Sequence, residues 1–142
     1  MLHRKFVLFL GCSLFLCANA FAQSTHTPAP GSAERQAIMD ALRVPAEKDL
    51  GRAVIFKVDL LSVAGKWAFA RVSPTLPNGG EIDYSRTKYR QQVELGAFDA
   101  QGEALLRREG DEWKVLEWRF GATDTETPLW AEKYRLPKSL LK

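Results

Sequence analysis

Cysteine and histidine are nearly absent from this sequence of 142 residues. The two cysteines, Cys12 and Cys17, lie in an apolar N-terminal stretch, and the histidines are His3 and His26. Catalysis near neutral pH most often recruits histidine or cysteine, and metal sites recruit both. The GxGxxG, P-loop and HExxH patterns are also missing. Beyond the N-terminal stretch, these absences exclude thiol nucleophiles, disulfides and histidine-based triads, and we expect no metal and no cofactor.

Residues 1–22 have the three-part layout of a secretory signal peptide. Residues 3–5 are positively charged, residues 6–17 are mainly apolar, and Ala20-Phe21-Ala22 supplies the small residues that a signal peptidase recognises. The apolar run is too short to span a bilayer, which needs about 20 apolar residues. We predict cleavage after Ala22, a periplasmic or secreted protein, and no stable membrane insertion after cleavage. A retained anchor, or lipid attachment at Cys12 or Cys17, is the alternative.

Charge of one sign is also scarce once the leader is removed. Loss of Arg4 and Lys5 lowers the formal net charge from +3 to +1. The pair Arg107-Arg108 is followed at once by acidic residues, so it belongs to a turn of mixed charge and not to a basic patch. Without a basic surface we expect no nucleic-acid partner.

The remaining chain predicts a flexible linker at 23–31 and one domain at 32–142. The linker prediction depends on two prolines and a glycine without apolar periodicity. Ser32 then begins a helix as its N-cap, and apolar residues at helical spacing continue it to Arg43. We expect Pro45 to end this helix, because proline disfavours helical torsions in the residue before it.

Alternating apolar residues predict two hairpins after this helix. The first joins a strand at 54–61 to a strand at 67–72, whose face of Ala68, Ala70 and Val72 would let a helix approach closely. The second spans Glu103–Gly121, with Gly110-Asp111 as its two-residue turn after a turn at 98–102. We expect this second hairpin to be the centre of the sheet.

Three segments around these hairpins have weaker patterns. The stretch 73–80 is rich in proline and glycine and predicts a long loop. Residues 81–96 suit a short helix from Thr87 that Gly96 ends, or an irregular strand. The last helix begins with Thr127 as its cap and Pro128 in its first turn, and Pro137 stops it.

These elements predict an α+β domain, with an antiparallel sheet of about four strands, the N-terminal helix packed on one face and a short C-terminal helix. That layout resembles the cystatin-like and nuclear-transport-factor-2-like folds. The stretches ALLRREGDEWKVLEW and TDTETPLWAEKYRLP are similar to small exported bacterial proteins of unknown function. The resemblance implies a cone-shaped pocket used for small ligands or subunit contacts. It brings no catalytic motif, so function must be argued from a site.

Polar and aromatic side chains supply the candidate site residues. An acid and two phenols follow the glycine-rich loop, and a second acid precedes the last helix: Asp83, Tyr84, Tyr89 and Asp124. They would serve proton transfer if burial shifted their pKa values; the alternative is ordinary surface and capping side chains. Asp59 is either a buried acid or points outward beside Lys57.

The four tryptophans, Trp67, Trp113, Trp118 and Trp130, would either line a groove for an apolar or carbohydrate ligand or fill the core. Trp113 and Trp118 differ by an odd number of residues, so a regular strand places them on opposite faces unless a bulge intervenes.

Two functions are compatible with these features. The first is a non-catalytic binding or interaction protein of the bacterial envelope, acting through the open sheet face or the loop at 73–89 on an envelope protein or a cell-wall component. The alternative is a small-ligand-binding pocket protein, or an acid/base enzyme, of the cystatin-like or nuclear-transport-factor-2-like kind. The export sequence and the missing catalytic side chains favour the first.

Overall fold

The computed structural model describes residues 24–142, so the predicted signal peptide lies outside the described residues. The elements are β1 (Thr25–His26), α1 (Ala33–Leu50), β2 (Ile55–Ala64), β3 (Trp67–Thr75), α2 (Arg90–Glu94), β4 (Asp99–Glu109), β5 (Glu112–Gly121) and α3 (Thr127–Tyr134). All neighbouring strands are antiparallel, and their order in the sheet is their order in the chain. The predicted α+β class is confirmed.

The sheet has five strands instead of about four. The additional strand is β1, in which Thr25 pairs with Ala64 and His26 with Val63. It lies in the segment predicted as a flexible linker, whose composition contains no strand periodicity. Two residues are too few for such a pattern, and the pairing is supplied by the outer edge of β2.

Helix α1 is longer than predicted. Ser32 caps it as expected, since its side chain accepts a 3.2 Å hydrogen bond from the Arg35 N–H. The prediction that Pro45 ends the helix is wrong, because α1 continues to Leu50 and ends at Gly51, whose φ is +66°. Buried residues recur at a spacing of four on both sides of the proline: Ile38, Leu42, Ala46 and Leu50. Burial of this stripe outweighs the backbone hydrogen bond that proline removes.

Helix α1 packs on the face of the sheet that carries the small residues of β3. Ala68, Ala70 and Val72 pack in one cluster with Ile38 and Leu42 of α1, together with neighbouring residues of β2 and β4. Trp67 and Phe69 belong to a separate cluster on the opposite face. This confirms the predicted small-residue face. We call the two faces of the sheet the α1 face and the α3 face.

The hairpin of β4 and β5 has the predicted turn at Gly110-Asp111, where Gly110 has a φ of +61°. The prediction that this hairpin is the centre of the sheet is wrong, because β3 is the middle strand and β5 is an edge. Strand β4 also begins at Asp99, within the segment predicted as a turn.

Two irregularities in strand pairing change which side chains share a face. In β2, Asp59 is a bulge residue without a partner on β3. In β5, Leu116 is likewise a bulge residue without a partner on β4. Each extra residue reverses the alternation that follows it. As a result Trp113 and Trp118 both pack on the α1 face, which the sequence permitted only with a bulge.

The α3 face is covered over part of its area by α3 and the chain that follows it. Trp130, Leu136 and Leu140 are buried there against Trp67, Phe69 and Leu105. Pro128 lies in the first turn as predicted, but the N-cap is Glu126 and not Thr127. Within residues 24–142 no helix is long and apolar enough to cross a membrane.

The segment between β3 and β4 is a long loop that contains a 3₁₀ turn (Tyr84–Arg86) and α2. The helical interpretation of 81–96 is therefore correct, although α2 begins at Arg90 and not at Thr87. Gly96, with a φ of +67°, follows the helix as predicted. Tyr84, Tyr89 and Phe98 pack with Phe120 in an aromatic cluster at the end of α1. This cluster anchors the loop to the domain.

Candidate functional site

The α3 face changes from apolar to polar along its strands. On β3 the residues that point to this face are Trp67 and Phe69, followed by Arg71 and Ser73. The helix α3 and the C-terminal segment cover only the apolar part. The polar part remains open, and it forms the floor of a cleft.

This polar cleft has a volume of about 330 Å³. It is lined by Arg71, Asp99, Gln101, Glu103, Arg119, Ala122, Thr123, Asp124 and Thr125. Three of these residues form one row across the sheet, because Glu103 of β4 pairs with Arg71 of β3 on one side and with Arg119 of β5 on the other. The chain at 122–125, between β5 and α3, forms a wall.

Glu103 organises the floor of the polar cleft. Its Oε1 accepts hydrogen bonds from Arg71 Nη2 at 2.8 Å and Nε at 3.1 Å, and its Oε2 accepts one from Thr125 Oγ1 at 2.8 Å. The Glu103 side chain is only 13% exposed, and burial of such a carboxylate requires partners of this kind. Arg119 forms an ion pair with Glu126 at the other side of the row.

Other polar groups of the cleft are free to meet a ligand. Asp99 and Asp124 are exposed, and neither side chain makes a hydrogen bond to another side chain or the backbone within the described part of the protein. The Arg71 side chain is 36% exposed and uses Nε and Nη2 for Glu103. The cleft therefore presents guanidinium donors at its floor and carboxylate acceptors at its rim.

Asp59 lies on the same polar part of the sheet. It is exposed and accepts hydrogen bonds from Ser73 at 2.7 Å and from Gln101 at 3.3 Å. The interpretation as a buried acid is wrong. The bulge at Asp59 turns it toward the polar face, where it meets Ser73 and Gln101.

A second concave region surrounds Asp49, a residue that the sequence analysis missed. The carboxylate accepts hydrogen bonds from Tyr89 Oη at 2.6 Å and Trp118 Nε1 at 3.3 Å, and it forms an ion pair with Lys88. Beside it runs a groove of about 550 Å³ along the end of β5, which we call the Asp49 groove. Its lining includes Tyr89, Trp118 and Trp130.

Asp49 was missed because α1 was expected to end before it. The spacing of four that joins Ile38, Leu42, Ala46 and Leu50 in the sequence is the pattern that would have extended the helix past Pro45. With the helix extended, Asp49 falls in its last turn. Nothing in the sequence pairs it with Trp118.

The ionisable groups around Asp49 have pKa values that are shifted away from neutral pH. Burial alone would raise the pKa of Asp49, but the hydrogen bonds from Lys88, Tyr89 and Trp118 and the charge of Lys88 together lower it. Burial raises the pKa of Tyr89 above its ordinary value, and the hydrogen bond to Asp49 raises it further. Burial also raises the pKa of Tyr84. The acid therefore stays ionised and both phenols stay protonated at pH 7.

The structure separates the predicted polar site residues. Asp124 lines the polar cleft and Tyr89 lines the Asp49 groove, whereas Tyr84 lies at a third depression, with its hydroxyl 3.4 Å from the Pro74 carbonyl oxygen. Asp83 is exposed and accepts a 3.1 Å hydrogen bond from the Ser85 N–H. These four side chains do not form one proton-transfer site.

The tryptophans divide in the same way. Trp67 is buried in the core on the α3 face, and Trp113 is buried under α1. Trp118 is half-buried and lines the Asp49 groove together with the edge of Trp130, which is buried. Trp113 and Trp118 also line an apolar groove between α1 and β5, so the four tryptophans do not line one common site.

Within residues 24–142, no group of three or more histidine, cysteine, aspartate or glutamate side chains is arranged to hold a metal ion. No family model, no curated protein and no solved structure shows significant similarity to this chain.

Proposed function

We propose that this protein is an exported, non-catalytic binding protein of the bacterial envelope and that the polar cleft is its ligand site. One observation carries the proposal. The cleft combines the partly exposed guanidinium groups of Arg71 and Arg119 with the free carboxylates of Asp99 and Asp124, and it is open to solvent. Export rests on the signal-peptide pattern of residues 1–22.

The composition of the cleft indicates the chemistry of the ligand. Donors at the floor suit a carboxylate, and acceptors at the rim suit hydroxyl or ammonium groups. A volume of about 330 Å³ accommodates a small molecule or the end of a larger one. We infer a polar cell-wall component that carries both kinds of group, such as a sugar bearing a short peptide.

The ionisation states at Asp49 support binding over catalysis. A general acid or base works best when its pKa lies near the working pH. The pKa of Asp49 is lowered, and the pKa values of Tyr84 and Tyr89 are raised, so all three shift away from that range. These side chains therefore suit a structural role and not proton transfer.

Binding of the purified domain to cell-wall material tests this proposal. The domain without residues 1–22 is sedimented with insoluble peptidoglycan, and its affinity for soluble peptidoglycan fragments is measured by calorimetry. We expect the wild type to bind and Asp124→Asn to bind about tenfold more weakly, since one charge-assisted hydrogen bond contributes roughly 1.5–3 kcal/mol.

Asp111→Asn is the matched control. Asp111 is an exposed acid in the turn between β4 and β5, away from the cleft lining, and the substitution changes the net charge equally. Equal weakening by both substitutions, or no binding by the wild type, would refute a cell-wall ligand at the polar cleft.

A further inference from the structure

Strand β5 is an unpaired edge of the sheet. It pairs with β4 alone, and within residues 24–142 none of its backbone groups joins a backbone hydrogen bond outside that ladder. The opposite edge differs, because β1 covers the end of β2 there. A long free edge is a template for another strand.

The hairpin geometry identifies the backbone groups that point outward. A two-residue turn makes the flanking pair, Glu109 and Glu112, a hydrogen-bonded pair, and such pairs alternate with non-hydrogen-bonded pairs along an antiparallel ladder. Trp113 and Val115 therefore direct their N–H and C=O groups away from β4. Across the bulge at Leu116 the alternation resumes, and Trp118, opposite Ala104, also points outward.

The side chains along this edge are self-complementary about Val115. We count paired residues outward from Val115 in both directions along β5, and the bulge means that Leu116 is passed over. Lys114 and Glu117 are then both one step away, Trp113 and Trp118 two steps, and Glu112 and Arg119 three steps. Both tryptophans pack on the α1 face. Glu117, which contacts Lys133, and Arg119, which lines the polar cleft, point to the α3 face. Strand alternation places Lys114 and Glu112, which form an ion pair with each other, on that face too.

We propose that a second copy of this chain pairs its β5 antiparallel with this edge, about a two-fold axis at Val115. Each Lys114 then faces Glu117 of the other copy, each Glu112 faces Arg119, and each Trp113 stands beside Trp118. Opposite charges and aromatic pairs directly across an antiparallel ladder are stabilising. The outward backbone groups of Trp113, Val115 and Trp118 form the hydrogen bonds between the copies.

An apolar groove beside the edge adds to this contact. It has a volume of about 570 Å³ and lies between α1 and β5, lined by Ala41, Val44, Pro45, Lys48 and residues 113–116 and 118. Val44 is 71% exposed there, which is high for an apolar side chain. The two-fold axis brings the grooves of both copies together and covers Val44.

The same register places the partner's turn at the Asp49 groove. The turn residues Asp111 and Gly110 of one copy lie opposite Phe120 and Gly121 of the other, and these two residues line that groove. Asp99 and Asp124 of the polar cleft take no part in the pairing. Arg119 belongs to both the cleft and the pairing. The two proposals can still fail separately, because Asp124→Asn changes no residue of the pairing and Lys114→Glu changes no residue of the cleft lining.

A mixing experiment with two charge reversals tests the pairing. Lys114→Glu places like charges across both pairs of its own dimer, and Glu117→Lys does the same with the opposite sign. Sedimentation velocity measures the outcome, and we expect the wild type to be a dimer. Each variant alone should be mainly monomeric, with a dimer dissociation constant raised at least tenfold. An equimolar mixture of the two variants should form a heterodimer.

Backbone substitution at the axis gives an independent test that does not depend on Glu117, which also contacts Lys133 and Tyr134 of its own chain. Val115→Pro removes an outward N–H and spares the ladder to β4, whereas Val115→Ala removes more apolar volume and keeps the N–H. We expect only the proline variant to be monomeric. A wild type that stays monomeric up to sub-millimolar concentration, or a dimer unchanged by Val115→Pro and by Lys114→Glu, would overturn the proposal.

Discussion

The hydroxyl of Tyr89 donates a 2.6 Å hydrogen bond to Asp49 Oδ2 and so connects the loop before α2 to the last turn of α1. The same oxygen accepts the 3.3 Å bond from Trp118 Nε1 of β5. One half-buried carboxylate therefore joins three parts of the chain. The loop at 76–98 contains only short helical turns, so this contact and the aromatic cluster beneath it hold the loop on the domain.

Removal of this hydroxyl by Tyr89→Phe should lower the free energy of unfolding by about 1–2 kcal/mol. A hydrogen bond to a charged group contributes roughly 1.5–3 kcal/mol, and Asp49 keeps its bonds to Lys88 and Trp118. Urea unfolding followed by tryptophan fluorescence measures the change. Tyr84→Phe is the control, because the Tyr84 hydroxyl is 3.4 Å from a neutral carbonyl oxygen, and it should cost less than about 0.5 kcal/mol. Equal losses in the two variants would contradict this role of Tyr89.

Asp49 should also make stability depend on pH in the acid range. Its pKa in the folded protein is lowered, so the unfolded chain takes up the proton first as the pH falls. The stabilisation is complete above the unfolded pKa of about 3.9 and is lost as the pH falls through the folded pKa. We expect Asp49→Asn to be less stable than wild type at pH 7, with a difference that shrinks below about pH 4.

Urea unfolding at a series of pH values measures this difference. Asp111→Asn serves as the control for the loss of one negative charge, since Asp111 is an exposed turn residue. A difference between wild type and Asp49→Asn that does not change with pH would show that the loss is one of packing and not of charge.

The features that the sequence predicted correctly depend on residues that are close together in the sequence. The turn at Gly110-Asp111 needs only a glycine that takes a positive φ, and the small face of β3 follows from simple alternation of Ala68, Ala70 and Val72.

The features that the sequence did not predict depend on contacts between distant segments. The row of Arg71, Glu103 and Arg119 exists only in the register of three strands, and no local pattern specifies that register. The bulge at Leu116, which turns Trp118 toward α1, is likewise a result of packing on both faces. The hairpin at 103–121 was expected at the centre of the sheet, but β5 is an edge strand, and an edge strand covered by α1 on one face can be as apolar as a central one.

Pro45 and Pro128 should respond to alanine substitution in opposite directions. Pro45 lies inside α1, where its ring removes a backbone hydrogen bond, so Pro45→Ala should raise the free energy of unfolding by about 1 kcal/mol or more. Pro128 lies in the first turn of α3, where no such bond is lost. Pro128→Ala should therefore be neutral or destabilise by up to about 1 kcal/mol through the greater freedom of the unfolded chain. Thermal unfolding of both variants measures this, and destabilisation by Pro45→Ala would mean that its ring contributes more by packing than it removes from the helix.

Gly102 and Trp118 should show strong coupling in a double-mutant cycle. Gly102 is buried on β4, and a Cβ there would come within 2.6 Å of Trp118 Cζ3 and 3.2 Å of Cζ2. Gly102→Ala should therefore cost about 1–3 kcal/mol by overpacking. Trp118→Phe removes the six-membered ring of the indole that causes the overlap, at the cost of its own packing and of the hydrogen bond to Asp49. In that background Gly102→Ala should cost at least about 1 kcal/mol less, because coupled neighbours depart from additivity by roughly 0.5–3 kcal/mol.

Urea unfolding of the four proteins completes the cycle. Additive effects would mean that the Trp118 ring moves aside freely, and the stacking of this ring on Phe120, with an interplanar angle of 9°, would then not fix its position.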